Sequence, residues 1–163
     1  MQIRAARIEE IAKIMEIYAR AREYMREQGN PTQWGENYPS EELVRRDIAR
    51  GCCQVCVDEE GICGVFYFAV EDDPTYRKIF DGAWQSDAPY AVIHRIAVGK
   101  HGRGVAKACF DYAWAEHQNI RIDTHIDNLP MQRALAKNGF VQCGTIYLEN
   151  GSPRLAYQLV IRL

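Results

Sequence analysis

The stretch Ala91-Val-Ile-His-Arg-Ile-Ala-Val98, followed at once by Gly99-Lys-His-Gly-Arg-Gly-Val-Ala106, constrains the fold more than any other part of the chain. Its first half, rich in β-branched and apolar residues, reads as a strand over 90–98. Glycines at 99, 102 and 104 break the strand. Val105, Ala108, Cys109, Tyr112 and Ala113 then share one face of a helix over 104–117. Another strand is predicted over 120–126. Parallel strands need such a crossover connection, so the centre of the chain reads as a parallel β-α-β unit and the fold as mixed α/β.

The remaining elements fit around this unit. A short strand over 3–5 precedes a helix over 8–27, whose apolar residues Ile8, Ile11, Met15, Tyr18 and Met25 recur near a 3.6-residue period. Residues 29–39 form a breaker-rich loop. Ser40 suits the N-cap of a helix reaching 50, with Gly51 ending it. Strands over 52–58 and 62–70 make a hairpin. The irregular segment 71–89 holds a short helix around 76–80. After 120–126 come a helix over 129–138 ended by Gly139 and a last hairpin, 141–148 and 154–161. The expectation is one domain over 1–163 with about seven strands and about four helices.

Composition excludes several classes. The 163 residues suffice for one sizeable core. Apolar residues at 47% and charged residues at 26% argue against disorder, collagen or coiled coil. Twenty Lys and Arg stand against 22 Asp and Glu, a net charge of −2, so no electrostatic footprint for nucleic acid exists. No apolar run is long enough to span a bilayer, and the opening MQIRAARIEE does not read as a signal peptide. The six cysteines are therefore expected to be reduced thiols in a cytoplasm. Cys53 and Cys56 have a C-x-x-C spacing, but on a strand they point to opposite faces, and no metal site is expected. Cys56 and Cys63 are the pair that the hairpin would bring opposite each other.

The glycine-rich turn can converge backbone N–H groups on an anion at a helix N-terminus, with Lys100, Arg103 and Lys107 adding charge. A pyrophosphate suits it; so does a plain solvated turn. A dinucleotide fingerprint would need a small residue where Lys107 stands. A Walker A loop would need Lys-Ser/Thr where the sequence has Val105-Ala106.

His101-Gly-Arg-Gly-Val-Ala106 resembles the GNAT acetyltransferase signature, Gln/Arg-x-x-Gly-x-Gly/Ala, with His101 in place of the usual first residue. Asp127-Asn128 before the short helix and Lys137-Asn-Gly-Phe140 at its end extend the match, and the element order agrees over essentially the whole chain. The resemblance implies a sheet splayed between its fourth and fifth strands, with acetyl-CoA entering there. Ile96, Ala97 and Val98 would then offer backbone hydrogen bonds to the pantetheine arm. The run His101, Gly102, Arg103, Gly104, Val105, Ala106 and Lys107 would hold the pyrophosphate. Asn128 and Met131 would stand beside the cofactor.

The resemblance also implies direct acetyl transfer to an amine. An alkyl ammonium needs a base, because its pKa, near 10.4, keeps it protonated at neutral pH. His94 is the candidate, on one strand face with Val92, Ile96 and Val98; a structural buried histidine is the alternative. A backbone N–H near Val98 would hold the developing oxyanion. On the fifth strand Arg121, Asp123, His125 and Asp127 share a polar face. Asp123 or His125 relays protons from that face, or the face is an ion-pair network in which Arg95 meets Asp123. The family's usual acid, a tyrosine before Gly-Phe, is here Leu135. Tyr147 or Tyr90 would replace it, or the thiolate would leave unassisted.

Trp34, Glu36 and Tyr38 in the first loop, with Trp84, Tyr76 and Tyr90, would suit a cationic amine; ordinary aromatic packing is the alternative. The reading is an acetyl-CoA-dependent N-acetyltransferase acting on a small primary amine. A protein or peptide N-acetyltransferase and a non-catalytic acyl-CoA-binding domain are its rivals. The final hairpin offers edges through which a homodimer could pair.

Overall fold

The structure, a computed structural model, describes residues 1–162. Strand β1 (Gln2–Ala5) leads through a 3-10 turn (Ile8–Glu10) into α1 (Ile11–Glu27), and α2 (Glu41–Ala49) follows the first loop. Strands β2 (Cys53–Asp58), β3 (Gly61–Val70) and β4 (Ala91–Val98) come next, with a 3-10 turn (Pro74–Tyr76) before β4. Then follow α3 (Val105–Glu116), β5 (Ile120–Thr124), α4 (Leu129–Lys137), β6 (Val141–Tyr147) and β7 (Pro153–Leu159). The seven strands form one sheet in the order β1-β2-β3-β4-β5-β7-β6. Every pair is antiparallel except β4 with β5. Seven strands and four helices in this order match the expected architecture.

The parallel pair is brief. Only Ala91 with Ile120 and Val92 with Arg121 are in register. Beyond them the two strands part, and residues 93–98 of β4 keep ladder partners on the β3 side alone. This is the splay that the resemblance implied.

A bulge in β4 sits beside the splay. Tyr67 pairs with His94 and Val65 with Ala97, so Arg95 and Ile96 together oppose Phe66. Arg95 takes the left-handed conformation, φ +49°. The side-chain alternation therefore slips. Val92 packs with Tyr67 and Tyr76, and the His94 ring lies among the same tyrosines. Ile96 and Val98 pack with Ile93 and Val105 instead. The single face predicted for Val92, His94, Ile96 and Val98 is thus half right: the inserted residue moves Ile96 and Val98 to the other side.

Three apolar clusters hold the sheet. One joins α3 and α4 to one face through Phe66, Ile93, Phe110 and Leu135. A second seats Ile14, Ile17 and Val44 of α1 and α2 against Val55, Val65 and Ala97. The third centres on Tyr76, Val92 and Ile146. The start of α3 can approach β3 closely because residue 64 is glycine; a Cβ there would stand 2.6 Å from Val105 Cγ1.

The long segment between β3 and β4 is pinned by two buried polar side chains. Gln158 Oε1 accepts from Gln85 N at 2.8 Å, and its Nε2 donates to Ser86 O and Asn119 Oδ1. The Arg121 guanidinium lies 4.1 Å from the ring centroids of both Trp84 and Tyr90 and donates to Ser86 O. The helix expected at 76–80 is instead the earlier 3-10 turn, since Asp73 caps Thr75 N and Pro74 opens the turn. A lone bridge from Phe80 to Thr145 follows. All six cysteines are free. Cys56 lies opposite Gly64, and the Cys63 thiol donates to the Cys56 carbonyl.

Candidate active site

The sheet opens into two adjoining cavities where β4 and β5 part. The larger has a volume of about 710 Å³ and the smaller about 390 Å³. Met25, Ile96, Asn128 and Met131 line both, so the cavities meet there.

The smaller cavity lies against the glycine-rich turn. Ile96, Ala97, Val98, His101, Gly102, Gly104, Val105, Ala106 and Lys107 all line it. Gly104 caps α3 with φ +74°, and no side chain caps the helix. The first N–H groups of α3 therefore stay open toward an anion. A Cβ at Gly102 or Gly104 would meet no protein atom within 4 Å, which leaves room for a group lying on the backbone. Tyr24 of α1 stacks on His101 at 3.9 Å and forms the opposite wall.

The expected cationic contribution needs correction. Lys100 is held by Asp58 and Glu60, and Lys107 by Asp111 at 2.7 Å. Arg103 is exposed and does not line the cavity. Lys100 and Lys107 still line the cavity, and the open backbone N–H groups of α3 add to them.

His94, Asp73 and Asp123 face the larger cavity. His94 Nε2 lies 2.7 Å from Asp73 Oδ2. Thr75 donates to the other Asp73 oxygen from both its N–H and its hydroxyl. Burial pushes the Asp73 carboxyl up, but the hydrogen bonds from His94 and Thr75 outweigh it and hold it at about 2. Asp123 accepts from the Tyr76 hydroxyl at 2.6 Å. Burial raises its pKa against the pull of His94 and the Tyr76 hydroxyl.

Arg95 does not meet Asp123. The bulge turns it toward α2, where it makes two 2.9 Å bonds to Asp47 and a third to the Tyr38 hydroxyl. Trp34 and Tyr38 line the larger cavity. Trp84 does not: its Nε1 donates to Tyr76 O and its ring stacks on Arg121. Tyr76 and Tyr90 are likewise in the packing, and Glu36 lines neither cavity. Tyr147 stands on the outer strand β6, half exposed with its ring against Phe80, and lines neither cavity. His125 lies beyond the end of β5, where its Nδ1 accepts from Asp127 N. Leu135 is buried in the core. No cluster of metal-binding side chains exists among the described residues.

The sequence reading missed Asp73, Tyr67, Asp47 and Arg154. A signal existed for the first: Asp73-Pro74-Thr75 is an Asx-type turn opener, and such an oxygen is fixed in place.

Acid titration should report two of these carboxylates. Glu10 is also held at about 2, chiefly by its hydrogen bonds from Arg4. Both have folded values below their unfolded ones, near 4. Their stabilisation is complete above pH about 4 and is lost as pH falls through about 2. Urea midpoints measured between pH 5 and pH 2 should fall over that window, and less steeply in Asp73→Asn and Glu10→Gln. An unchanged slope in both variants would contradict the assignment.

No protein-family model and no curated protein sequence matches the chain. Solved structures do. A GNAT-family acetyltransferase of Streptococcus agalactiae 2603 is 31% identical, with a TM-score of 0.91 over 99% of this chain and 96% of that one. A GNAT-family acetyltransferase of Listeria monocytogenes is 20% identical, with a TM-score of 0.68 over 96% and 92%. The Salmonella typhimurium protein yncA, solved with its cofactor acetyl-CoA, is 15% identical, with a TM-score of 0.65 over 99% and 95%. The last two likenesses concern the fold alone. The first extends to the sequence, from end to end, and by it this chain belongs to the GNAT family of acetyltransferases.

Proposed function

We propose that the protein is an acetyl-CoA-dependent N-acetyltransferase that moves the acetyl group directly to a primary amine of a small molecule. The observation that carries the reading is the meeting of two cavities at the parted strands, with His94 on the acceptor side. The smaller cavity fits the cofactor on its own features. Its uncapped α3 N-terminus and two glycines suit a pyrophosphate. The unpaired edge of β4 over 93–98 suits the amides of a pantetheine arm, in the manner of an added strand. The cofactor of the Salmonella neighbour agrees with this assignment.

When bound, acetyl-CoA supplies the thioester carbonyl that the amine attacks. The chain's own part is positioning and proton transfer. Asp73 is ionised and accepts from His94 Nε2, which leaves Nδ1 as the basic nitrogen. That nitrogen takes the proton of the acceptor ammonium. Backbone groups of β4 near Val98 hold the developing oxyanion. With Leu135 buried, no acid stands at the family's tyrosine position, and a thiol of pKa about 8.5 is a tolerable leaving group without one. A small acceptor is supported by the aromatic lining that Trp34, Tyr38 and Tyr67 give the larger cavity.

Thermal unfolding with acetyl-CoA, free CoA and ATP tests the cofactor assignment. Ligand at 100 times its Kd adds about 2.7 kcal/mol, a rise of roughly 5–10 °C for a chain of this size. Both CoA species should shift the wild type, ATP should not, and Gly104→Val should lose the effect. No shift with either CoA species, together with a blank calorimetric titration, would remove the transferase reading. Transfer to peptides but to no free amine would move the acceptor to the protein class.

A further inference from the structure

We infer that the acceptor carries a carboxylate of its own beside its amine, and that Arg154 receives it; the inference rests on the transferase reading above. Three arginines of this fold are largely withdrawn from water, and two have their charge answered. Arg95 has both oxygens of Asp47. Arg121 lies between two aromatic rings with Asp87 at 3.6 Å. Arg154, on β7, is 7% exposed, and its partners are neutral. They are Ser152 Oγ at 2.6 Å, Pro153 O at 2.8 Å and Gln33 O at 3.4 Å. No carboxylate among the described residues lies within 4.0 Å of it. A guanidinium this enclosed with no carboxylate in contact is costly unless something brings one, since Asp123 acts on it only from a distance. This one lines the larger cavity.

A second group in the same cavity points the same way. Thr124 is fully buried at the end of β5, it lines the cavity, and its hydroxyl has no hydrogen-bond partner. It pairs with Leu155, so by strand alternation its side chain leaves the sheet on the face opposite to Arg154, and the two meet only in lining the cavity. Such a hydroxyl is an unfilled donor in the cavity that Arg154 also lines.

The third observation is the order of charges. Asp123 lies within electrostatic reach of both His94 and Arg154. The cavity therefore presents a base, a carboxylate and a cation. An amine carrying a carboxylate is complementary to that series: the ammonium lies at His94 and Asp123, the carboxylate at Arg154. An amine without an acidic group leaves the guanidinium unanswered, which disfavours diamines and simple alkylamines.

The test uses the intact protein and acetyl-CoA. Each of the common free amino acids is assayed beside its carboxamide and its decarboxylated amine, with aryl amines, polyamines and short peptides as further acceptors. For the best amino acid, kcat/KM should exceed that of its carboxamide at least about tenfold, since a site built to bind a polar group rejects the analogue lacking it. Arg154→Gln should bring that ratio near one, with KM for acetyl-CoA unchanged. Arg154→Lys, which keeps the charge and loses the fork, should retain part of the preference. A carboxamide or decarboxylated amine used as well as the acid overturns the inference. That ratio is read on the wild type, so a poorly folding variant does not shelter it. Transfer to other amines but to no amino acid overturns the inference and leaves the transferase reading standing. Transfer to no amine at all overturns both.

Discussion

Replacing His94 with glutamine is expected to lower kcat by about 10²- to 10⁴-fold, the usual worth of a positioned general base. Glutamine can still donate to Asp73, so the carboxylate that sits 2.7 Å from the ring keeps a partner. What is lost is the second nitrogen. His94 lines the larger cavity and not the smaller, so calorimetry should find acetyl-CoA affinity nearly unchanged. Loss confined to kcat and kcat/KM would identify a group acting in the transition state. Wild-type turnover at saturating substrates would take His94 out of the mechanism and leave it a structural histidine.

The second large effect falls on stability. Asp47→Asn removes the carboxylate that answers Arg95. The two side chains are 4% and 13% exposed and joined by paired 2.9 Å bonds. Breaking a buried pair from one side costs about 3–5 kcal/mol, because the remaining charge is stranded. For a domain of this length that is roughly 6–20 °C in Tm. Tyr38→Phe removes only a bond from Arg95 to an exposed hydroxyl and should cost about 1 kcal/mol. If thermal unfolding placed Asp47→Asn beside Tyr38→Phe, the pair would be a solvated contact and not the anchor of the β4 bulge.

Much of this arrangement was legible in the residues. Periodicity, caps and turn residues located the strands and helices of the sheet, but not always the buried face: of the α1 residues read as its apolar face only Tyr18 is buried, and Ile14, Ile17 and Ala21 complete it. The glycine turn was legible because positive φ at 102 and 104 demands glycine. The partners of charged residues were not. Arg95 reaches 48 residues back to Asp47, and Asp73 reaches 21 forward to His94. The first of these depends on the bulge, and a slip of one residue in a strand leaves the composition of the strand untouched; the second depends on how the long segment before β4 folds back. Trp84 misled for a related reason. An aromatic in an irregular loop looks available, and only the buried cation beneath it shows that it is occupied. Arg154 was unreadable because its significance lies in what does not surround it.

The extra residue in β4 has an arithmetic of its own. Were Arg95 deleted, Ile96 would fall opposite Phe66, and Ala97 and Val98 would keep their partners Val65 and Gly64. Every apolar side chain of the strand would stay on the face it already covers. The core thus makes no demand for the ninety-fifth position; it would be satisfied by a strand one residue shorter. The surplus residue is therefore free to serve the site: it turns the Arg95 side chain toward Asp47 beside the gap where the linings of the two cavities meet.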